Sequence, residues 1–406
     1  MRRRERSPGA GRTPGRSLQG LRAAGSVAGA LGVAGALLPL ASEFRVSRSQ
    51  RPLTGRWRDI PVEPRGATLL GISFRPRQAE AFGLEPREAL GALLAHPFGI
   101  VRLGAYWDRM EPEPGSFDPG ELDWQIDAAG RAGKQVIVCV GPVKTFGYPE
   151  YFVPGHHVTE PLREGTLIEP ETHRPLLSAG TAFVTRVVER YRDREPVIAW
   201  QVEHEAVDPL GMEHSWRLSA RWAAEEVAAV RAADPGRPVV MNGFLPTSTP
   251  VRLMQWWRAR DQGDSLSVAQ RLADITGIDF YPRHALAAAR GWGLYLDGSA
   301  HPWQRRRWEE VFRWAAATPG RRVMIAEGQA EPWEAVTTPP DPEGRAMYSC
   351  PPERVIRNYN HAIRMCRAGN AGPWAYLFWG AEYWLLRQQR GDARYIDAFA
   401  RVLAGA

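Results

Sequence analysis

Val197-Ile198-Ala199-Trp200-Gln201-Val202-Glu203-His204-Glu205 is an apolar run of strand length that ends in acidic and imidazole side chains, and a helical pattern over Ser215–Ala233 comes after it. That unit recurs on both sides. Leu69–Phe74 precedes the helical pattern Glu85–Ala95, Gly99–Leu103 precedes Glu121–Ala132, and Gln135–Val140 precedes Ala179–Tyr191. Further on, Pro238–Asn242 precedes a short helical stretch ending at Trp256–Trp257, and Ile275–Tyr281 precedes Pro302–Ala317. Arg322–Ala326 then precedes Glu353–Arg367, and Ala375–Phe378 precedes Ala393–Leu403. Eight strand–helix pairs over residues 69–403 call for parallel strands covered by helices. Eight such units closing on themselves make an α/β fold of the (β/α)8 TIM-barrel type. The competing open, doubly wound sheet carries a glycine-rich phosphate turn after its first strand. Here that turn reads Ser73-Phe74-Arg75-Pro76-Arg77, which cannot cradle a pyrophosphate.

Composition supports a folded chain and narrows its partners. Of 406 residues, 44% are hydrophobic and 24% charged, the balance of a globular protein. The net charge of +7 is unevenly spread. Residues 1–58 hold twelve arginines against Glu5 and Glu43, an excess of ten, so the remaining 348 residues sum to −3. The folded part therefore offers no basic face, and nucleic acid is not an expected partner. Three cysteines (Cys139, Cys350, Cys366) exclude a disulfide scaffold, although a single Cys350–Cys366 bridge stays open, and no CxxC or zinc-type histidine spacing occurs. Sixteen tryptophans stand out, since large aromatic faces suit a flat, partly apolar ligand.

Residues 1–42 read as a basic leader followed by an uncharged run from Ala23 to Ser42, the pattern of a secretory signal or an N-terminal membrane anchor. Arginines ahead of the run would send the rest of the chain across the membrane, so an exported protein, periplasmic, extracellular or anchored facing outward, is expected. Residues 43–66 read as a linker and 67–406 as the barrel domain. The long connection Gly141–Leu177, rich in Gly, Pro and His, reads as a wall or lid over the open face.

Barrels of this type carry their chemistry at the C-terminal ends of the strands. Glu205 lies at the end of the fourth run and Glu327 at the end of the seventh (Val323-Met324-Ile325-Ala326-Glu327-Gly328), positions that face one another across the mouth. Two carboxyls flanking a cleft are the minimal kit for glycoside hydrolysis: one protonates the leaving oxygen, the other attacks the anomeric carbon or activates water. Acid–base work at neutral pH needs one of the two pKa values raised, as a desolvated carboxyl near a second negative charge supplies. Other strand-end carboxylates compete. Glu331 ranks second as nucleophile, Glu382 is a further rival, and Glu203 is expected to turn away from the pocket or to pair with an arginine.

Five segments, in order, resemble the clan A glycoside hydrolases, the superfamily of retaining (β/α)8 enzymes with cellulase-like and β-galactosidase-like members. They are Ile100-Val101-Arg102-Leu103 with Tyr106 to Asp118; Trp200-Gln201-Val202-Glu203-His204-Glu205; Ile278-Asp279-Phe280-Tyr281-Pro282; Ala326-Glu327-Gly328-Gln329-Ala330-Glu331-Pro332-Trp333; and Phe378-Trp379-Gly380-Ala381-Glu382-Tyr383-Trp384. The resemblance implies Glu205 as general acid/base and Glu327 as nucleophile. It also implies that Arg102 supports the nucleophile, Tyr281 hydrogen-bonds it and Trp379 floors the sugar site. Trp107, Trp333 and Trp384 are weaker candidates for subsite walls, with a place in the core as the alternative for each, and His156 and His157 of the long loop could reach substrate. One position departs from the pattern: His204 stands where the superfamily has the Asn that contacts the sugar 2-hydroxyl. A ring nitrogen can still donate there, with different reach and charge.

The expected function is a retaining glycoside hydrolase that cleaves β-linked oligo- or polysaccharides by double displacement and needs no metal or organic cofactor. The alternatives are a non-catalytic carbohydrate-binding barrel at the cell surface and a membrane-tethered transglycosylase. Sugar, linkage, endo or exo action and oligomeric state are not specified by the sequence.

Overall fold

Eight parallel strands hydrogen-bond in a closed ring in the computed structural model: β1 Leu69–Ser73, β2 Ile100–Gly104, β3 Gln135–Cys139, β4 Val197–Gln201, β5 Val239–Phe244, β6 Ile275–Phe280, β7 Arg322–Gln329 and β8 Ala375–Trp379, with β8 returning to β1. The structure describes residues 41–48, 58–147, 151–163, 165–208, 216–259, 261–289, 292–332, 349–368 and 372–405. Met1–Glu43 and Phe44–Ala406 are separate units, and the barrel lies entirely in the second. Apart from residues 41 and 42, the leader and its apolar run lie outside the described residues. Among those described, no helix is long and apolar enough to cross a membrane.

Alternation along the strands builds two apolar layers. Ile100, Ile137, Ala199, Val240, Ile275, Met324, Ala326, Ala375 and Leu377 point inward and plug the barrel. Their neighbours Val101, Val136, Val138, Trp200, Val239, Met241, Ile278, Val323 and Ile325 point outward against the helices. Helix Pro86–Leu94 shows how the covering layer is specified. Glu85 accepts the Glu88 N–H at 2.8 Å, Pro86 occupies the first turn, and Ala89, Leu90, Leu93 and Leu94 form the buried stripe. Helix Ala220–Ala233 starts likewise on Ser219, whose Oγ accepts the Trp222 N–H at 3.1 Å.

The structure adds elements that periodicity misses. Phe44–Arg48, inside the stretch read as a linker, pairs antiparallel with Trp292–Leu296, which pairs in turn with His284–Ala289. Residues 60–63 of that stretch are tied to the last helices: Asn360 donates to the Pro61 carbonyl at 2.7 Å and accepts the Glu63 N–H at 2.9 Å, while Arg401 donates to the Ile60 carbonyl. Cys139, Cys350 and Cys366 are all buried and free, so the open question of a Cys350–Cys366 bridge is answered in the negative.

Candidate active site

Above the apolar plug, the same alternation turns polar side chains into the barrel mouth. Continuing inward from Gly71, Ile100, Ala199, Val240 and Gly277 come Ser73, Arg102, Gln201, Asn242 and Asp279, all of them buried. They form one network. Arg102 donates from Nε to Ser73 Oγ at 2.9 Å and from one terminal nitrogen to Gln201 Oε1 at 3.2 Å. Gln201 Nε2 donates to Asn242 Oδ1 at 3.0 Å, and Asn242 Nδ2 donates to Asp279 Oδ2 at 2.7 Å.

Glu327 reaches this network only because β7 is irregular. Counting from Val323 and Ile325, which face the helices, a regular strand would also turn Glu327 outward. The register against β6 slips between Ile325 and Glu327, and against β8 between Ile325 and Gly328. A bulge of this kind re-aims the side chain that comes after it. Glu327, 2% exposed, then accepts from the second terminal nitrogen of Arg102 at 2.6 Å and from the Tyr281 hydroxyl at 2.6 Å. His204 Nε2 lies 3.0 Å from Glu327 Oε1. Burial would push this carboxyl up, but His204, Arg102 and Tyr281 outweigh it and hold the pKa down at about 2.

The fourth strand is equally irregular at its end. β4 stops at Gln201, and both Glu203 (φ 54°) and Glu205 (φ 45°) adopt left-handed backbone, which is rare and costly outside glycine. The strain turns the two glutamates to different jobs. Glu203 does leave the pocket, but through this backbone and not through regular alternation, which would set it on the same face as Glu205. Its carboxyl accepts the backbone N–H groups of Val143 and Lys144, with Glu226 beside it. The approach is so close that a Cβ on Gly141 would lie 2.2 Å from the Glu203 nitrogen, so only glycine fits there. Glu205 is the least buried of the mouth carboxyls. Burial, with Asp208 and Glu327 adding to it, raises its pKa to about 7 against the pull of His204 and Lys144. Lys144 Nζ holds the turn by donating to the backbone carbonyls of Glu205 at 2.8 Å and Asp208 at 3.1 Å. Asp279 is raised well above the usual carboxylate range, by burial first and then by the neighbouring Glu327 and Glu205.

Aromatic side chains frame the carboxyls. Phe146, Phe244, Tyr281 and Trp379 cluster with Cys139, and Trp379 and Tyr281 each keep 8% of their surface exposed. The Arg102 guanidinium lies 4.2 Å from the Phe146 ring centre and 5.5 Å from that of Trp379, and Arg75 stacks at 4.2 Å from Trp379.

Glu205, Glu327, Arg102, His204, Tyr281 and Trp379 are thus brought together as expected from sequence. Trp107 is not, and its reading as a subsite wall is corrected. It is fully buried between His157 (ring centres 4.7 Å) and Phe183 (5.5 Å), with its indole N–H donated to Glu111 at 2.6 Å, so it presents no face to a ligand. Trp384 is core as well, donating to the Ala330 carbonyl at 2.8 Å, and Trp333 lies outside the described residues. Glu331 and Glu382, the rival carboxylates, are both clamped by Arg75. His156 and His157 turn to Glu111. Ser73, Gln201, Asn242, Asp279 and Lys144 were missed; for the four strand residues the inward parity of each strand was an available signal.

Sequence comparison agrees with this architecture. Residues 93–226, which carry β2 to β4, match the family model described as beta-galactosidase, glycosyl hydrolase family 42. The chain is 32% identical over 114 residues to the beta-galactosidase BgaH of Haloferax lucentense, and 33% over 116 residues to the beta-galactosidase Bga of Halorubrum lacusprofundi. Each match covers 26% of this chain but only 17% and 16% of those proteins, so the chain aligns with about a sixth of the length of these curated relatives. Among solved structures, the fold is shared with a GH5_18 protein from Streptomyces cattleya crystallised with GlcNAc (TM-score 0.52, 16% identity, covering 85% of this chain and 80% of that one). It is also shared with xylanase 10B of Thermotoga petrophila RKU-1 in complex with xylobiose (TM-score 0.50, 13% identity, 83% and 94%). The closed eight-stranded barrel, and a glycosidase-family match that spans β4 and the turn carrying Glu205, make the chain similar to glycoside hydrolases built on a (β/α)8 barrel.

Proposed function

We propose that this barrel is a retaining glycoside hydrolase acting on β-linked sugars, with Glu327 as nucleophile and Glu205 as general acid/base. The observation that carries the reading is the opposite setting of the two carboxyls, Glu327 held near 2 by His204, Arg102 and Tyr281 and Glu205 raised to about 7. A nucleophile must be ionised and an acid must be protonated at the same pH, and these environments supply both states between those values.

In the first step Glu327 attacks the anomeric carbon as Glu205 protonates the departing oxygen, leaving a glycosyl ester on Glu327. In the second, Glu205, now a carboxylate, takes a proton from water, which displaces Glu327 and restores both groups. Arg102 and Tyr281 fix both oxygens of Glu327, so little reorganisation is needed as its charge is spent and recovered. His204 lies on the Glu327 oxygen that also receives Arg102, close enough to meet a sugar hydroxyl beside the reacting carbon. Trp379 supplies a partly exposed ring for the apolar face of the sugar.

β-Galactosides are the first substrates to test, because the matched family model and curated relatives carry that name. The arginine-rich leader and the uncharged run after it support export of the chain. The mechanism is tested with Glu205→Ala on aryl β-glycosides in sodium azide. The azide ion attacks the glycosyl ester without needing a base, so turnover is expected to return and yield a β-glycosyl azide. Turnover by Glu205→Ala equal to that of the parent, with azide without effect, would remove Glu205 from the mechanism.

A further inference from the structure

We propose that Glu111, His156 and His157 form a binding site for a zinc-type divalent cation that joins the long loop after β3 to the segment after β2. His156 and His157 sit in the single turn Gly155–His157, while Glu111 comes directly after the short helix Trp107–Met110. The two Nε2 atoms lie 3.4 and 3.1 Å from the same oxygen, Glu111 Oε1, and one ligand atom from each of the three residues falls within 4.8 Å of the other two. Bonds of about 2.0–2.1 Å to a tetrahedral ion place its ligand atoms roughly 3.3–3.4 Å apart. The two N···O separations already approximate edges of that tetrahedron, and a small approach of the rings completes its third edge.

The surroundings are those of a held ligand set. Trp107 Nε1 donates to Glu111 Oε2 at 2.6 Å and the Gly115 N–H to Oε1 at 3.0 Å, the outer-shell bonding that orients a metal carboxylate. The Trp107 ring backs that of His157, which fixes its plane. Both histidines keep 22% of their side-chain surface exposed and Glu111 14%, so an ion and a water as fourth ligand can reach them. Two imidazoles and one carboxylate favour zinc, cobalt or nickel over magnesium and calcium, which prefer all-oxygen sets.

None of the three residues belongs to the carboxyl network of the mouth, so the ion acts as a clip. It fixes the loop whose Lys144 and Phe146 border Glu205 and Arg102.

The test is zinc chloride titrated calorimetrically into chelator-stripped full-length protein, in parallel with the His156→Ala/His157→Ala and Glu111→Gln variants. One zinc per chain with a rise in Tm is expected for the parent, and binding at least about tenfold weaker for both variants. Cobalt chloride added to the parent should give the visible absorption of a four-coordinate N/O site, a readout that needs no variant. Absence of zinc binding by the parent would overturn the proposal and leave the cluster as hydrogen-bonded histidines. Binding undiminished in the variants would overturn it equally, and would point to His204, Asp279 and Glu327 as the ligands.

Discussion

Two buried arginines stand side by side at the barrel mouth, and they hold carboxylates in opposite ways. Arg75, just beyond β1, is saturated. Its Nε and one terminal nitrogen grip Glu382 at 2.9 and 2.6 Å, and its terminal nitrogens reach Glu331 at 3.0 and 3.2 Å. Its own backbone N–H donates to Glu382 as well. One cation shared by two carboxylates forms a closed, self-satisfied unit. Arg102, on β2, gives a single nitrogen to Glu327 and spends the others on Ser73 and Gln201. Glu327 completes its surroundings with the Tyr281 hydroxyl, which donates to it, and with His204 Nε2 at 3.0 Å, contacts that can be given up or exchanged as its charge changes. Arg75 therefore reads as structure and Arg102 as chemistry, although both are buried Arg–Glu contacts in a glycosidase-like mouth. The contrast also separates Glu327 from Glu331, four residues away and indistinguishable from it by composition.

Substitutions should break the contrast in order of decreasing effect. Glu327→Gln is expected to lower kcat on an aryl β-glycoside by several orders of magnitude with little loss of stability, read from initial rates and a urea melt. Arg75→Ala strands two buried carboxylates, so it should destabilise the fold by about 3–5 kcal/mol in the same melt. Whatever activity it loses should track the unfolded fraction. Tyr281→Phe removes a hydrogen bond to a charged oxygen and should cost about 1.5–3 kcal/mol in kcat/KM. It should also move the acid limb of the pH–rate profile upward, because the ionised form of Glu327 loses a donor. The gentlest handle is pH itself. Under the proposed mechanism Glu205 must be protonated and Glu327 ionised, so kcat/KM should fall above about pH 7 and hold on the acid side until the fold or Glu327 gives way, with both limbs belonging to the coupled pair.

Much of the fold and the site is legible in the sequence. The eight strand runs, the closed barrel and the candidacy of Glu205 and Glu327 as strand-end carboxyls follow from repeated apolar runs and their polar ends, while Arg102, Tyr281 and Trp379 are reached through the resemblance to clan A glycoside hydrolases. The part that is not legible lies where backbones depart from regular alternation. Parity along β7 points Glu327 at the helices, and only the register slip after Ile325 returns it to the mouth. Parity after β4 would put Glu203 and Glu205 on one face, and only their left-handed backbone separates them. Tryptophan misleads for another reason. An indole near a strand end looks the same in sequence whether it walls a subsite or, as with Trp107, fills the space beneath a loop. The inward polar residues Ser73, Gln201, Asn242 and Asp279 are within reach of strand parity, but single polar letters inside apolar runs carry little weight until their partners on neighbouring strands are known.

The central claim is that Glu327 becomes covalently bonded to the sugar. Incubation of the full chain with a 2-deoxy-2-fluoro β-galactoside bearing a good leaving group, followed by peptide mass spectrometry, tests it directly. A fluoroglycosyl adduct on the peptide containing Glu327, absent from Glu327→Gln, is the predicted result; an adduct on Glu331 or Glu205 would contradict it, as would an unmodified chain that nonetheless hydrolyses the parent galactoside.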